Sequence, residues 1–230
     1  MIYKQEVINS QKELRMIEKN SKEILTKARY GPSKLTRIPL QLNEELAFFV
    51  GAIIGDGHLR KSKLQIVIEL SDKSLIEYIK EISRVLFNRS FNINQVKPRE
   101  GKKQTFTIQM DSKAIYNLLK EVFEIPSGKK SNIVIVPKQI KYSNENIKIA
   151  FLKGIMATEG GKRRRGFGLS TASRELWEGL IELFEELKIP ILKDKWEHKR
   201  YKKEYYGICF KKDYMKMLMW ECQSGQMGCV

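Results

Sequence analysis

The chain holds 230 residues, with 43 Lys and Arg against 27 Asp and Glu, a formal charge of +16. At 42% hydrophobic and 10% aromatic it is too rich in core-forming residues for a disordered protein, and no apolar run approaches the roughly 20 residues that span a bilayer. The polar start, MIYKQEVINSQKELR, lacks the apolar region of an export signal.

Cys209, Cys222 and Cys229 are odd in number and clustered, so they build no disulfide framework, and a reducing compartment fits them. Two histidines, His58 and His198, are too few for a His-rich zinc centre. So large a positive surplus repels itself and calls for an anionic partner. Nucleic acid comes before a membrane surface, because the basic residues fall in short clusters and not along one amphipathic helix.

In chain order, residues 5–28 read as a charged helix striped by Ile8, Leu14, Ile17, Ile24 and Leu25, broken at Gly31-Pro32-Ser33. Residues 34–42 read as extended. Asn43 caps an apolar helix from Glu44 to Ile54, which stops at Gly55-Asp56-Gly57. Lys63 to Leu70 alternates as a strand, and a helix follows to about Phe87. Phe91–Lys97 and Lys103–Met110 read as a hairpin, then a helix from Lys113 to Phe123. A connector with Ile133-Val134-Ile135-Val136 leads to a second long helix, Glu145 to Thr158, ending at Glu159-Gly160-Gly161. Strand, helix, two strands and a helix from Lys212 to about Cys222 follow, with Gly166 permitting a hairpin in 161–172. The order of elements thus repeats, an α+β duplication about a pseudo-two-fold. It divides the chain into an N-terminal helical extension (1–35), a first half (36–124), a linker (125–144) and a second half (145–230).

The two junctions carry the chemistry. FFVGAIIGDG (48–57) and FLKGIMATEG (151–160) each place a glycine five residues before a carboxylate and another directly after it. Gly51 and Gly55, like Gly154 and Ala157, lie on one face of a helix. Glycine inside a helix costs about 0.5–1 kcal/mol, which close contact between two helix backbones offsets. Such packing makes neighbours of Asp56 and Glu159 at two negative helix ends. Two carboxylates beside bare carbonyls call for a cation, and all-oxygen ligation selects Mg²⁺ or Mn²⁺. A single Gly-Asp-Gly or Glu-Gly-Gly is an ordinary turn or cap; two copies closing matched helices are not so easily dismissed.

With these motifs, residues 36–221 resemble the LAGLIDADG homing endonucleases of single-chain, two-motif type, the Glu of the second copy resembling archaeal members. The connector SNIVIVPKQIKYSNENIKIAFLKG is similar as well, while Ile54 and Ala157 replace the aspartate of the motif's name. The resemblance implies pseudo-symmetric αββαββα halves whose antiparallel sheets form a DNA-binding saddle. It implies Asp56 and Glu159 as catalytic metal ligands, with the carbonyls of Gly55 and Thr158 beside them. It also implies a central basic residue, Lys162, for which ordinary phosphate contact is an equal reading.

The function implied is site-specific double-strand cleavage of DNA at a long asymmetric target, by metal-assisted attack of water on each phosphodiester. A catalytically silent DNA- or RNA-binding protein, an intron maturase or regulator, is the alternative. Protein splicing is not expected, for want of a terminal Cys or Ser and of His-Asn. A monomer with an internal pseudo-dimer, in the cytoplasm of a prokaryote or archaeon, is expected.

For the DNA interface, Thr105, Thr107 and Gln109 should face outward while Phe106, Ile108 and Met110 face the core. Lys193 and Lys195 share a strand face with Ile191 and Glu197. The basic residues Lys61, Lys63, Lys103, Arg163, Arg164, Arg165, Lys199 and Arg200 complete the expected set.

Overall fold

The computed structural model of the chain describes residues 2–29, 33–96, 104–198 and 202–219. Lys103, Lys199 and Arg200 lie outside them.

Two halves of the same order follow an N-terminal unit. The first is α2 (Glu44–Gly55), β4 (Gly57–Arg60), β5 (Gln65–Leu70), α3 (Lys73–Phe87), β6 (Asn92–Gln95), β7 (Phe106–Asp111) and α4 (Lys113–Asn117), which runs on as a π-turn, Leu118–Val122. A connector containing the short α5 (Lys138–Lys141) leads into the second half. There α6 (Glu145–Glu159), β8 (Gly161–Arg163), β9 (Gly166–Thr171), α7 (Arg174–Glu186), β10 (Ile191–His198), β11 (Lys203–Phe210) and α8 (Met215–Leu218) repeat it. The sheets are antiparallel, with orders β4-β5-β7-β6 and β8-β9-β11-β10, superimposable in sequence of elements. Each half is therefore αββαββα, as the resemblance implies. The expected last helix is cut to a 3₁₀ turn and the single turn of α8 within the described residues.

The Asn43 cap read from sequence is in place, and four other helices are capped in the same way. Asn43, Asp72, Ser112, Asn144 and Ser173 each accept a backbone N–H in the first turn of their helix, a contact of about 1 kcal/mol apiece. Gly166, at φ +138, makes the tight hairpin between β8 and β9. On the first sheet Ile66, Ile68, Ile108 and Met110 are buried under α2 and α3, and Glu69, Thr107 and Gln109 turn the other way.

The N-terminal unit differs from the long helix the stripe predicts. It is a short helix, α1 (Ile2–Ser10), and a three-stranded antiparallel sheet of β1 (Arg15–Lys19), β2 (Glu23–Lys27) and β3 (Thr36–Pro39). The Asn20 side chain accepts from the N–H groups of Lys22 and Glu23 at 2.8 and 2.9 Å. That local bond turns the chain back where a helix would have continued. Ile24 and Thr26 then alternate inward, completely buried. The unit is fused to the first half: Gln11 Nε2 donates to the Ala114 carbonyl and Asn117 Nδ2 to the Ser10 carbonyl, both at 3.1 Å.

Among the described residues, no helix is long and apolar enough to cross a membrane.

Candidate functional site

The site is built where α2 and α6 pack along one another. A Cβ added to Gly51 would lie 2.2 Å from the Phe151 carbonyl oxygen, and one on Gly154 would lie 2.1 Å from that of Phe48. Each glycine thus faces the carbonyl of the residue three before the other glycine, the reciprocity a two-fold axis demands. Gly55 sits as tightly against Thr158, whose Oγ1 would lie 2.0 Å from an added Cβ. Of the expected interface residues, Gly51, Gly55 and Gly154 make this contact, while Ala157 is half-buried on the wall of an adjoining cleft.

This packing brings Asp56 and Glu159 side by side. Partial burial, then the Glu159 charge and a hydrogen bond donated to that side chain, push the Asp56 carboxyl up to about 7, with Lys130 pulling the other way. Asp56 opens into a cleft of about 460 Å³ that also meets Thr158, His58, Glu69 and Thr105.

Lys130 is the residue that sequence reasoning missed. Its Nζ donates to the carbonyls of Ile53 and Gly55, each at 2.6 Å, and to that of Ile54 between them. Those are the carbonyls that α2 leaves bare at its end. Burial pulls the ammonium down to about 8, while Glu159 and Asp56 draw it upward. The connector positions it. Ser127 bridges to Leu59 of β4, Gly128 N–H donates to the Leu59 carbonyl at 2.9 Å, and at φ +79 Gly128 turns the chain beneath α2. In sequence it is half of a Lys-Lys pair in a polar loop, a pattern that reads as solvated.

The Gly55 carbonyl, expected as a metal ligand, is therefore already held by an ammonium. At the other helix end, Thr158 Oγ1 turns back onto the carbonyls of Gly154 and Ile155 at 3.3 and 3.2 Å. Among the described residues, no three His, Cys, Asp or Glu side chains converge on one point. The donor set is two crowded carboxylates that share a hydrogen bond, an anionic pair that a divalent cation would relieve. Mg²⁺ commonly binds through one or two carboxylates, with waters and phosphate oxygens completing its shell, so the residues fit such an ion. Lys162 is exposed on the edge strand β8, opposite Phe167; the cation that acts on Asp56 is Lys130.

The outer sheet faces separate the remaining expectations. Thr107 and Gln109 lie outward beside Glu69, Val67, Asn94 and Asn92, and Thr105 Oγ1 donates to Glu69 Oε1 at 3.0 Å. Lys61 and Lys63 are exposed in the turn between β4 and β5. Arg163, Arg164 and Arg165 line a hollow of about 240 Å³ on the outer face of the second sheet, together with Ser170, Asp194 and Trp196.

Lys193 also borders that hollow, but the side chains of Lys193 and Lys195 turn to the opposite face. They pair with Ile208 and Tyr206, which are buried, and their ammonium groups meet Glu185 of α7 at 2.9 Å and Glu204 at 2.7 Å. The register of β11 decides this, and it brings out Leu192 and Trp196 instead, 50% and 40% exposed. Trp196 stacks on Tyr205 at 6.0 Å and 15°.

No family model matches the chain. It is 31% identical over 166 residues to the replication factor C small subunit of Methanocaldococcus jannaschii, covering 72% of this chain and 9% of that protein. Over 183 residues it is 27% identical to the probable translation initiation factor IF-2 of the same organism (77% and 15%). It is also 31% identical over 158 residues to an A-type ATP synthase subunit of Pyrococcus abyssi (68% and 15%). The chain thus spans only 9% to 15% of the length of these relatives. Among solved structures, the I-DmoI complex with DNA and Mn is matched with a TM-score of 0.56 at 17% identity, over 79% of this chain and 99% of that one. The N-terminal LAGLIDADG domain of WhiA is matched with a TM-score of 0.53 at 16% identity, over 76% and 79%. The fold is the LAGLIDADG fold.

Proposed function

We propose that the chain is a metal-dependent, site-specific double-strand DNA endonuclease of the single-chain LAGLIDADG homing type. The observation that carries this reading is the pair Asp56 and Glu159, brought together at the ends of two helices packed glycine to backbone, with the Lys130 ammonium against them. Two carboxyls crowded until Asp56 holds its proton to about pH 7, at the edge of a cleft, are an arrangement that favours a functional centre.

Asp56 and Glu159 would hold a divalent cation, which supplies activation of a water and charge compensation at the attacked phosphodiester. Lys130 fixes the end of α2 and would offer a positive charge to a phosphodiester held at the two carboxylates. The outward rows of the two sheets differ, with Thr107, Gln109 and Asn92 on one and Trp196, Tyr205 and Arg163 on the other. They would read an asymmetric target from the major groove. A match that fills only 9% to 15% of a replication factor, a translation factor and a subunit of an ATP synthase is what an insert moving between genes would leave. This supports homing in particular.

Incubation with Mg²⁺ and a plasmid library of randomised inserts, followed by sequencing of cut ends, tests the reading. One recurrent double-strand cut is expected, absent from Asp56→Asn. Duplex binding without any cut would favour the silent, DNA-binding alternative. The engagement of the Gly55 carbonyl by Lys130 speaks for that second reading, because it removes one candidate ligand.

A further inference from the structure

Between the N-terminal sheet and the edge of the first half lies a cavity of about 350 Å³ that has no part in the site above. Its cationic lining is Lys27, Lys34, Lys63, Arg89 and Lys113, against Asp111 as the one carboxylate. Two of the cations are engaged: Lys113 pairs with Glu13 at 2.6 Å, and Arg89 donates to Thr36 Oγ1 at 3.1 Å and to the Asp111 carbonyl at 2.7 Å. Lys27, Lys34 and Lys63 are exposed and make no ion pair among the described residues. Thr26, which also lines the cavity, is fully buried, and its hydroxyl has no hydrogen-bond partner among the described residues. A buried hydroxyl left unpaired is destabilising, and a ligand oxygen that meets it offsets that cost.

Free cations, an idle buried donor and nearby hydroxyls of Ser33 and Ser112 are the chemistry of an oxyanion site. Its position suggests the source of the anion. Asp111 and Gln65 form the last pair of the first sheet, next but one to the outward pair of Gln109 and Val67. At about 3.4 Å per residue, the cavity begins roughly 7 Å beyond the outward row. A duplex lying along that row would carry its backbone across the mouth.

We propose that this cavity binds a phosphate group, and that the phosphate is one of the DNA backbone flanking the target on the side of the first half. The N-terminal unit would then extend the interface by gripping DNA that neither sheet reads. The choice of DNA as the source rests on the endonuclease reading; the phosphate chemistry does not.

Two variants test it, Lys27→Ala/Lys34→Ala and Thr26→Val, each titrated with a long duplex of unrelated sequence at several salt concentrations. Thermal melting with and without inorganic pyrophosphate runs alongside. The double variant should show a log–log salt slope shallower by roughly one, since each neutralised phosphate contributes about 0.9. Thr26→Val should bind duplex about fivefold more weakly, the worth of one hydrogen bond, while melting no lower than the parent. An unchanged slope in the double variant, with parental binding intact, overturns the assignment to DNA. If pyrophosphate still protects the parent in that case, the ligand is a small free phosphate compound. A lower melting temperature for Thr26→Val shows the hydroxyl to be satisfied internally and overturns the site. If the parent binds no duplex, the endonuclease reading itself fails. The cavity then stands or falls on pyrophosphate protection that the double variant must abolish.

Discussion

At the end of α2 three successive carbonyls are gathered by the Lys130 ammonium, whereas at the end of α6 a threonine hydroxyl bends back onto its own helix. The helix contact between them is nevertheless reciprocal to within 0.1 Å, the two glycine clearances being 2.2 and 2.1 Å. The difference teaches which feature each half must supply for itself. Close approach of two backbones needs a missing side chain on both sides. Neutralising two carboxylates that share one place needs a cation only once.

The contact is the strongest point at which to break the comparison. Gly51→Ala and Gly154→Ala each drive a methyl group into a main-chain carbonyl, which yields little. Each should cost at or above the upper end of the roughly 1–3 kcal/mol typical of overpacking, by equal amounts if the axis is real. Denaturant midpoints measure this, and a loss confined to one glycine would end the symmetric account.

Lys130→Met and Thr158→Val should then be unequal. The lysine leaves three carbonyls without their donor and two carboxylates without their cation. We expect a loss of about 2–4 kcal/mol, set by the stranded polar groups. Thr158 makes only long bonds to carbonyls already used by the helix, and its loss should stay below about 1 kcal/mol. Matching losses in thermal melts would mean that the two ends are equivalent after all.

The shared proton sharpens the same contrast through pH. Folding raises the Asp56 carboxyl from its ordinary value of about 3.9 to about 7. Its contribution to stability is therefore complete below about pH 4 and lost as pH rises through about 7, the reverse of an ordinary paired aspartate. With chelator present, melting temperatures should fall across that window in the parent and fall less in Asp56→Asn. Added Mg²⁺ should restore the parent at pH 8, and a flat profile without metal would separate the two carboxyls.

The smallest effects lie on the sheets. Alanine at Arg163, Arg164 and Arg165 should make the salt slope of duplex binding shallower by up to about three. Alanine at Lys193 and Lys195 should leave it unchanged, because both ammonium groups are committed to glutamates on the helix side. Gln109→Ala should change the preferred sequence by roughly 1–3 kcal/mol per base contact. Titrations against matched and scrambled duplexes distinguish these outcomes.

What could be read beforehand was what local chemistry dictates. Asn43 announces a helix start, paired glycines announce a close contact, and Ile108 and Met110 announce a buried face. What could not be read depended on neighbours. β1 is exposed at every residue, so its pattern carries no period, and the Asn20 turn that creates it is a single side-chain bond. β10 is wet on both faces, so nothing in its own residues says which side Lys193 takes. The register with β11 does. Lys130 is chosen by the path of the connector, seventy-odd positions from the helix it serves.

That connector has a consequence for how such a molecule can be divided. It is stitched in turn to both halves: Gly128 to β4, Lys130 to α2, Ser131 to Lys203 of β11 at 3.3 Å, and the Val134 carbonyl to Ser173 at 2.6 Å. Cutting the gene into two separately made pieces is therefore not neutral as to where the cut falls. A break just before Ser127 would hand the ammonium to the piece that lacks Asp56. A break after Val136 would keep ammonium and aspartate on one polypeptide but strip the other of its anchor at Ser173. A symmetric ancestor assembled from two identical chains would have brought two such ammonium groups to one place, or none. In this chain one connector, used once, supplies the single charge that two carboxylates share.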